Sequence, residues 1–382
     1  MTLRPLDPES SASTNSATFA RGVAKLTTAK PKAASRGALH PGGARGGERA
    51  KSREPAGWCQ SGAEGECTLD HAFGTPYLRV PFALPDGPGL AWGARAIRLA
   101  FGALDVHFCG VGPEQVRWLE ARYRPCGPLN GVQPVQVNLH RAPARAFRDY
   151  QERCPTASLA VRYERQQVSL AGLYGIARLG ALAAGARIID AWLPPGGPRR
   201  FILAIENFLR VAAAYQAVTR GGVMLHAAAA CREQAAEVFC GHSGSGKTTL
   251  AERLERAGFA VLSDDLNTLI PDACGRTLVQ RVPYAGLIGR DRPHPAHAPL
   301  AGLFRLAPGA AEANGEGGML ETLRPAIAAL SLLTCVPFVG GDPFWQDRVL
   351  HNLEILAGNV PMARLSLRLT DEPAQVLGWQ AA

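Results

Sequence analysis

The chain has 382 residues, 47% of them apolar and 19% charged, which is longer than one ordinary domain and too apolar for a disordered or fibrous protein. Its formal charge of +9 suggests a nucleic-acid partner until it is divided: residues 1–57 hold ten Lys/Arg against four acids, so +6 of the +9 belongs to that arm. Nine scattered cysteines (59, 67, 109, 126, 154, 231, 240, 274 and 335) contain no CxxC pair, which argues against a disulfide framework or a zinc module and leads us to expect a reduced, cytoplasmic setting.

In chain order, residues 1–57 are rich in Ala, Ser, Thr, Gly and Pro without hydrophobic period and are expected to form a disordered basic tail. The tail is read as solvated, and nucleic acid is not the expected partner. No apolar h-region marks a signal peptide. The most apolar stretches meet Arg178, Arg187 or Arg220 before a bilayer's length, so no membrane span is expected. Residues 58–95 are punctuated by Gly and Pro and read as irregular. Residues 97–108 alternate well enough for a strand pair, and 114–123 place Val116, Leu119 and Tyr123 at helical spacing. Alternation returns over 132–140 and 158–170. A long helix over 198–220 ends at Gly221-Gly222. Residues 58–220 are therefore expected to form an N-terminal α+β domain that binds substrate or partner.

A second domain is expected over 221–382. Strands at 223–231 and 235–240 flank a turn at Arg232-Glu233-Gln234, and a helix through Leu250 and Leu254 stops at Gly258. A short buried strand at 259–263 ends in Asp264-Asp265. The Pro/Gly/His-rich stretch 282–300 reads as a loop. An amphipathic helix over 344–358 should turn Phe344, Val349, Leu353 and Leu356 inward, and 363–370 should be a final strand. There is no internal repeat.

Between the second domain's first two strands and its first helix lies Gly241-His242-Ser243-Gly244-Ser245-Gly246-Lys247-Thr248-Thr249. It matches the phosphate-binding loop at every defined position and in the strand–loop–helix context that the loop requires. Glycines let successive backbone N–H groups turn toward one anion, and the helix N-terminus adds its dipole. Lys247 would meet the β- and γ-phosphates, and Thr248 would hold Mg²⁺ through its hydroxyl. Only five of the 41 basic residues are lysine, and Lys247 is the one beyond residue 51. A chain that uses arginine elsewhere keeps lysine where a compact ammonium is needed. His242, inside the loop, is expected to contribute backbone rather than its ring.

Asp264 and Asp265 follow one helix and one strand later. Two carboxylates at a strand's end can divide the labour, one coordinating Mg²⁺ and the other accepting a proton from an attacking hydroxyl. These residues, with LHAAAA at 225–230 and EVFC before the loop, resemble the catalytic core of HPr serine kinase/phosphorylase and its HPr-kinase-related relatives, which share a nucleotide site with phosphoenolpyruvate carboxykinase. The likeness is closest over 222–270 and weaker to about 370. It implies an α/β fold, a P-loop kinase core with a mixed sheet preceded by the smaller α+β domain. It also implies that His226, Lys247, Thr248, Asp264 and Asp265 form the site, with Asp264 catalytic and Asp265 the metal ligand, or the reverse order. The downstream basic signature of the bifunctional enzymes has only loose counterparts in Arg281, Arg290 and Arg292. His294 and His297 make an HxxH without a helix to align it, which is a poor metal site.

The expected activity is an ATP- and Mg²⁺-dependent kinase that phosphorylates a hydroxyl of a protein, a peptide or a small molecule, serine first. The competing class is a nucleotide-binding regulator that transfers nothing. The residues name neither the acceptor nor the oligomeric state, and a homo-oligomer stays open.

Overall fold

A computed structural model describes residues 82–85, 89–102, 104–123, 134–147, 159–172, 174–283, 286, 288, 297–307, 318–368 and 370–379. The basic arm, Arg290, Arg292 and His294 lie outside them. Two mixed sheets divide the described chain. The first is built from β1 (Leu90–Ala91), β2 (Arg95–Phe101), β3 (Leu104–Val111), β4 (Val135–Arg141), β5 (Ala160–Tyr163), β6 (Val168–Gly172), β7 (Gly175–Gly180) and β8 (Ile188–Leu193). Its order is β2-β3-β4-β8-β7-β6-β5, with β1 on β4. The β3–β4 and β4–β8 pairs are parallel and the other pairs antiparallel. Period-two alternation sets its faces: in β4, Val135, Val137 and Leu139 are buried while Gln136 is exposed. Helix α1 (Pro113–Arg122) connects β3 to this sheet's next strand. Strands β5 and β6 form a hairpin whose turn is closed where Glu164 N–H donates to Gln167 O at 3.0 Å.

Helix α2 (Pro198–Thr219) leads to the second sheet. That sheet contains β9 (Val223–Arg232), β10 (Ala235–Cys240), β11 (Ala260–Ser263), β12 (Leu266–Pro271), β13 (Thr277–Arg281), β14 (His297–Leu306), β15 (Met319–Thr322) and β16 (Met362–Ser366). The order is β10-β9-β12-β13-β14-β16-β15, with β11 on β9 and a further parallel pairing of β10 to β14. The five strands β10, β9, β12, β13 and β14 therefore close on themselves. Helices α3 (Lys247–Arg256), α4 (Pro325–Leu333), α5 (Gln346–Asn359) and α6 (Pro373–Val376) complete the described strands and α-helices. The fold is α/β with mixed sheets.

Two sequence expectations are corrected here. The stretch read as a loop to residue 300 already enters β14 at His297, because β13 and β10 both need a partner along that edge. Phe344 is 54% exposed; the turn before α5 buries Trp345 instead, edge-on against Tyr215 at 5.2 Å.

Helix α2 is apolar enough in length and composition to cross a membrane, yet 83% of its most apolar window is buried inside the molecule. It packs on β7 and β8 of one sheet and on β9 and β12 of the other. A single apolar cluster accordingly runs through both sheets, from Phe108 and Leu170 through Phe208 and Val211 to Leu225 and Val238. Two buried polar side chains on this helix are paired, whereas Gln216 Nε2 has no hydrogen-bond partner. Glu206 accepts from Arg122 Nε at 2.9 Å, and Tyr215 Oη donates to Asp342 Oδ2 at 2.6 Å. Asn352 Nδ2 donates to Val218 O at 3.0 Å and to Gly222 O at 2.9 Å, adding to the Gly221 N–H that Val218 O accepts at 3.2 Å.

Candidate functional site

Strand β9 is flanked by β12 and then β11 along one edge and by β10 along the other over its second half. From Val223 to His226 it pairs with β12, whose Leu266 lies opposite His226. From Ala227 onward it pairs with β10, whose Cys240 lies opposite Ala227. The loop that leaves β10 at Gly241 and the acidic pair that precedes β12 therefore emerge on either side of β9 at the same level, with His226 between them. Ala227 N–H donates to Asp265 O at 2.9 Å and fixes that level.

The loop turns through two glycines with positive φ, Gly244 (78°) and Gly246 (91°), a region that side chains with a Cβ rarely enter. Space beside both is open within 4 Å. At Gly241 the reverse holds, since a Cβ there would collide with Ser245 Oγ. Ser245 N–H donates to His242 O at 3.1 Å, while its buried hydroxyl has no hydrogen-bond partner. Helix α3 opens at Lys247 with no side-chain cap, so its first-turn amides face the loop cavity. Lys247 is buried and donates through Nζ to Gly241 O at 3.0 Å and His242 O at 3.1 Å. Burial pulls its ammonium below the usual lysine range, opposed by the nearby sulfur of Cys335 and carboxylate of Asp265. Thr248 is half-buried and Thr249 exposed on the first helical turn. The His242 ring hydrogen-bonds Ser243 O through Nδ1 at 2.7 Å, which turns it onto the loop's own backbone.

On the other side of β9, Asp265 Oδ1 lies 3.2 Å from His226 Nδ1. Burial drives the imidazole from 6.5 down to about 4, with Asp265 opposing, Lys247 assisting and Asp264 opposing. The ring is therefore neutral at physiological pH, with Nδ1 facing the Asp265 carboxylate. Asp264 is buried, and its Oδ1 accepts from Ile288 N–H at 3.1 Å. Gly286, with φ of 77°, lies directly above: a Cβ there would strike the Asp264 carboxylate. His226 feels the charges of Asp265, Lys247 and Asp264 together.

The open glycine cradle, the unpartnered Ser245 hydroxyl and the uncapped helix start fit a nucleotide's phosphates. Among the described residues no group of three or more His, Cys, Asp or Glu side chains could hold a metal ion. The Thr248 hydroxyl and Asp265 carboxylate are the oxygen groups that could contribute to an Mg²⁺ site, since that ion keeps several waters. Arg281 lies on β13 opposite Asn267, and His297 is exposed at the start of β14. Sequence reading missed Gly286, Arg305 and Cys335. Arg305 left a trace, a charge inside the apolar run 300–307; Cys335 left none, because only tertiary folding carries it to the root of the loop. No family model matches the chain, and no curated protein matches it.

Proposed function

We propose that this chain is an ATP-dependent kinase of the HPr-kinase type, transferring a γ-phosphoryl group to a hydroxyl, with serine of a protein or peptide as the acceptor. One observation carries the reading: a glycine-turned cradle with open space at a helix start has a buried lysine whose charge acts on His226 together with those of two adjacent aspartates. A site that only held nucleotide would gain nothing from a second carboxylate there.

In this reading the loop amides and Lys247 bind the phosphates, and Lys247 neutralises charge as the phosphoryl moves. Thr248 and Asp265 would hold Mg²⁺, which would supply further charge neutralisation. His226 positions the Asp265 carboxylate. Asp264 accepts the proton of the attacking hydroxyl at the oxygen that now accepts from Ile288 N–H, so that hydrogen bond must yield before an acceptor reaches it. The test is transfer from [γ-³²P]ATP with Mg²⁺ to a panel of serine-containing peptides and proteins. Lys247→Ala should lower transfer by roughly a thousandfold or more; a variant as active as the parent would end the reading.

A further inference from the structure

Beneath the phosphate loop lies a second cluster that the proposed transfer chemistry does not use. Cys240, the residue immediately before Gly241, is fully buried at the end of β10. Its ladder partner on β14 is Arg305. Cys335, just past the end of α4 and 1% exposed, meets the Cys240 thiol side chain to side chain. Arg305 Nη1 reaches Cys335 Sγ at 3.1 Å, Thr334 Oγ1 at 3.2 Å and Ser331 O at 3.2 Å. The Cys335 backbone is anchored as well, its carbonyl accepting from His226 N–H at 2.8 Å. Both cysteines are free thiols.

We propose that Cys240 and Cys335 are a dithiol modification site, which a small hydroperoxide converts into a reversible disulfide at the root of the phosphate loop. A guanidinium spent on a buried sulfur is the chemical marker, because a cation at this distance favours thiolate over thiol. The Cys240 hydrogen bond, with help from Arg305 and Thr334 and against burial, holds Cys335 down near 6, while its partner's thiol moves up. Buried Cys231 makes the contrast: burial alone pushes it up to about 11.

The chemistry balances without a cofactor. The Cys335 thiolate attacks one peroxide oxygen, the O–O bond breaks, and hydroxide leaves, taking the Cys240 proton to become water. Cys335 is now a sulfenic acid and Cys240 a thiolate. Cys240 attacks the Cys335 sulfur, the S–S bond forms, and a second hydroxide leaves and is protonated by solvent. Two sulfurs have each given up one electron, and one peroxide has become two waters. With both thiols buried, an oxidant of peroxide size can reach them and a bulky aromatic disulfide cannot.

The experiment treats the reduced full-length chain with one equivalent of hydrogen peroxide, blocks remaining thiols after unfolding, and maps the peptides by mass spectrometry. The expected product joins the Cys240 and Cys335 peptides, two hydrogens lighter than their sum and separated by a thiol reductant, while Cys231 stays reduced. An aromatic disulfide reagent should modify exposed Cys274 and neither member of the pair. Arg305→Gln should slow linkage at least tenfold. Should the map show both thiols still free after Cys274 has been oxidised, or Cys335 over-oxidised without a link to Cys240, the proposal is overturned. The map on the unaltered chain decides this regardless of how a variant folds. It is also independent of whether ATP is the ligand.

Discussion

Lys247 sits between two loop carbonyls at 3.0 and 3.1 Å, a seat for a compact ammonium and not for a planar fork. Lys247→Arg is therefore expected to impair transfer nearly as much as Lys247→Ala, read as radiolabel incorporation, although charge is conserved. His226 gives a pH signature. The unfolded chain takes up this proton near 6.5 and the folded chain only near 4, so the stability it contributes is complete above about pH 6.5 and is lost as pH falls toward 4. Between pH 7 and 5 that amounts to about 2 kcal/mol. Urea midpoints at the two pH values should therefore differ less in His226→Gln than in the parent. Gly286→Ala should place a methyl against Asp264 and force a positive φ on alanine, costing about 1–3 kcal/mol and transfer activity together. A variant with unchanged melting temperature and rate would show that 286 does not press on Asp264.

At the level of elements, the strand–loop–helix unit around 241–250 was legible because every requirement is local: buried strand, glycines at turning positions, helical spacing of Leu250 and Leu254. The adjacency of Asp264-Asp265 to the loop was legible only as chain order. Its physical cause is the pairing of β9 along both edges, a long-range property with no local periodicity. Strands β12 and β13 and the start of β14 were illegible for the same reason: β13 is mostly half-buried, and Pro299 disguises β14. The Phe344 error shows the weakness of spacing at a helix start, where the preceding turn rather than the helix phase aims the side chain. The end of α2 provides an energetic test. Asn352→Ala removes two hydrogen bonds to carbonyls of Val218 and Gly222 and should destabilise by about 1–3 kcal/mol in chemical denaturation. An unchanged midpoint would mean solvent satisfies those carbonyls instead.

Across the whole molecule, α2 belongs to the packing of both sheets, and one apolar cluster crosses the position near residue 220 where the sequence changes character. The two halves share a core rather than a surface contact. Calorimetry should accordingly show one unfolding transition for the described body, with Phe208→Ala, which empties a buried site on α2, lowering it as a unit by about 3–5 kcal/mol. Two separable endotherms, only one of them moved by that substitution, would show that the sheets unfold independently.

The scarcity of lysine adds a practical corollary. A protease that cuts only after lysine finds a single target beyond residue 51, and that target is interred at the first residue of α3. Scission there requires the cradle to spring open, so the rate at which the body is nicked in two becomes a clock for loop breathing, and any anion that clamps the cradle should slow it.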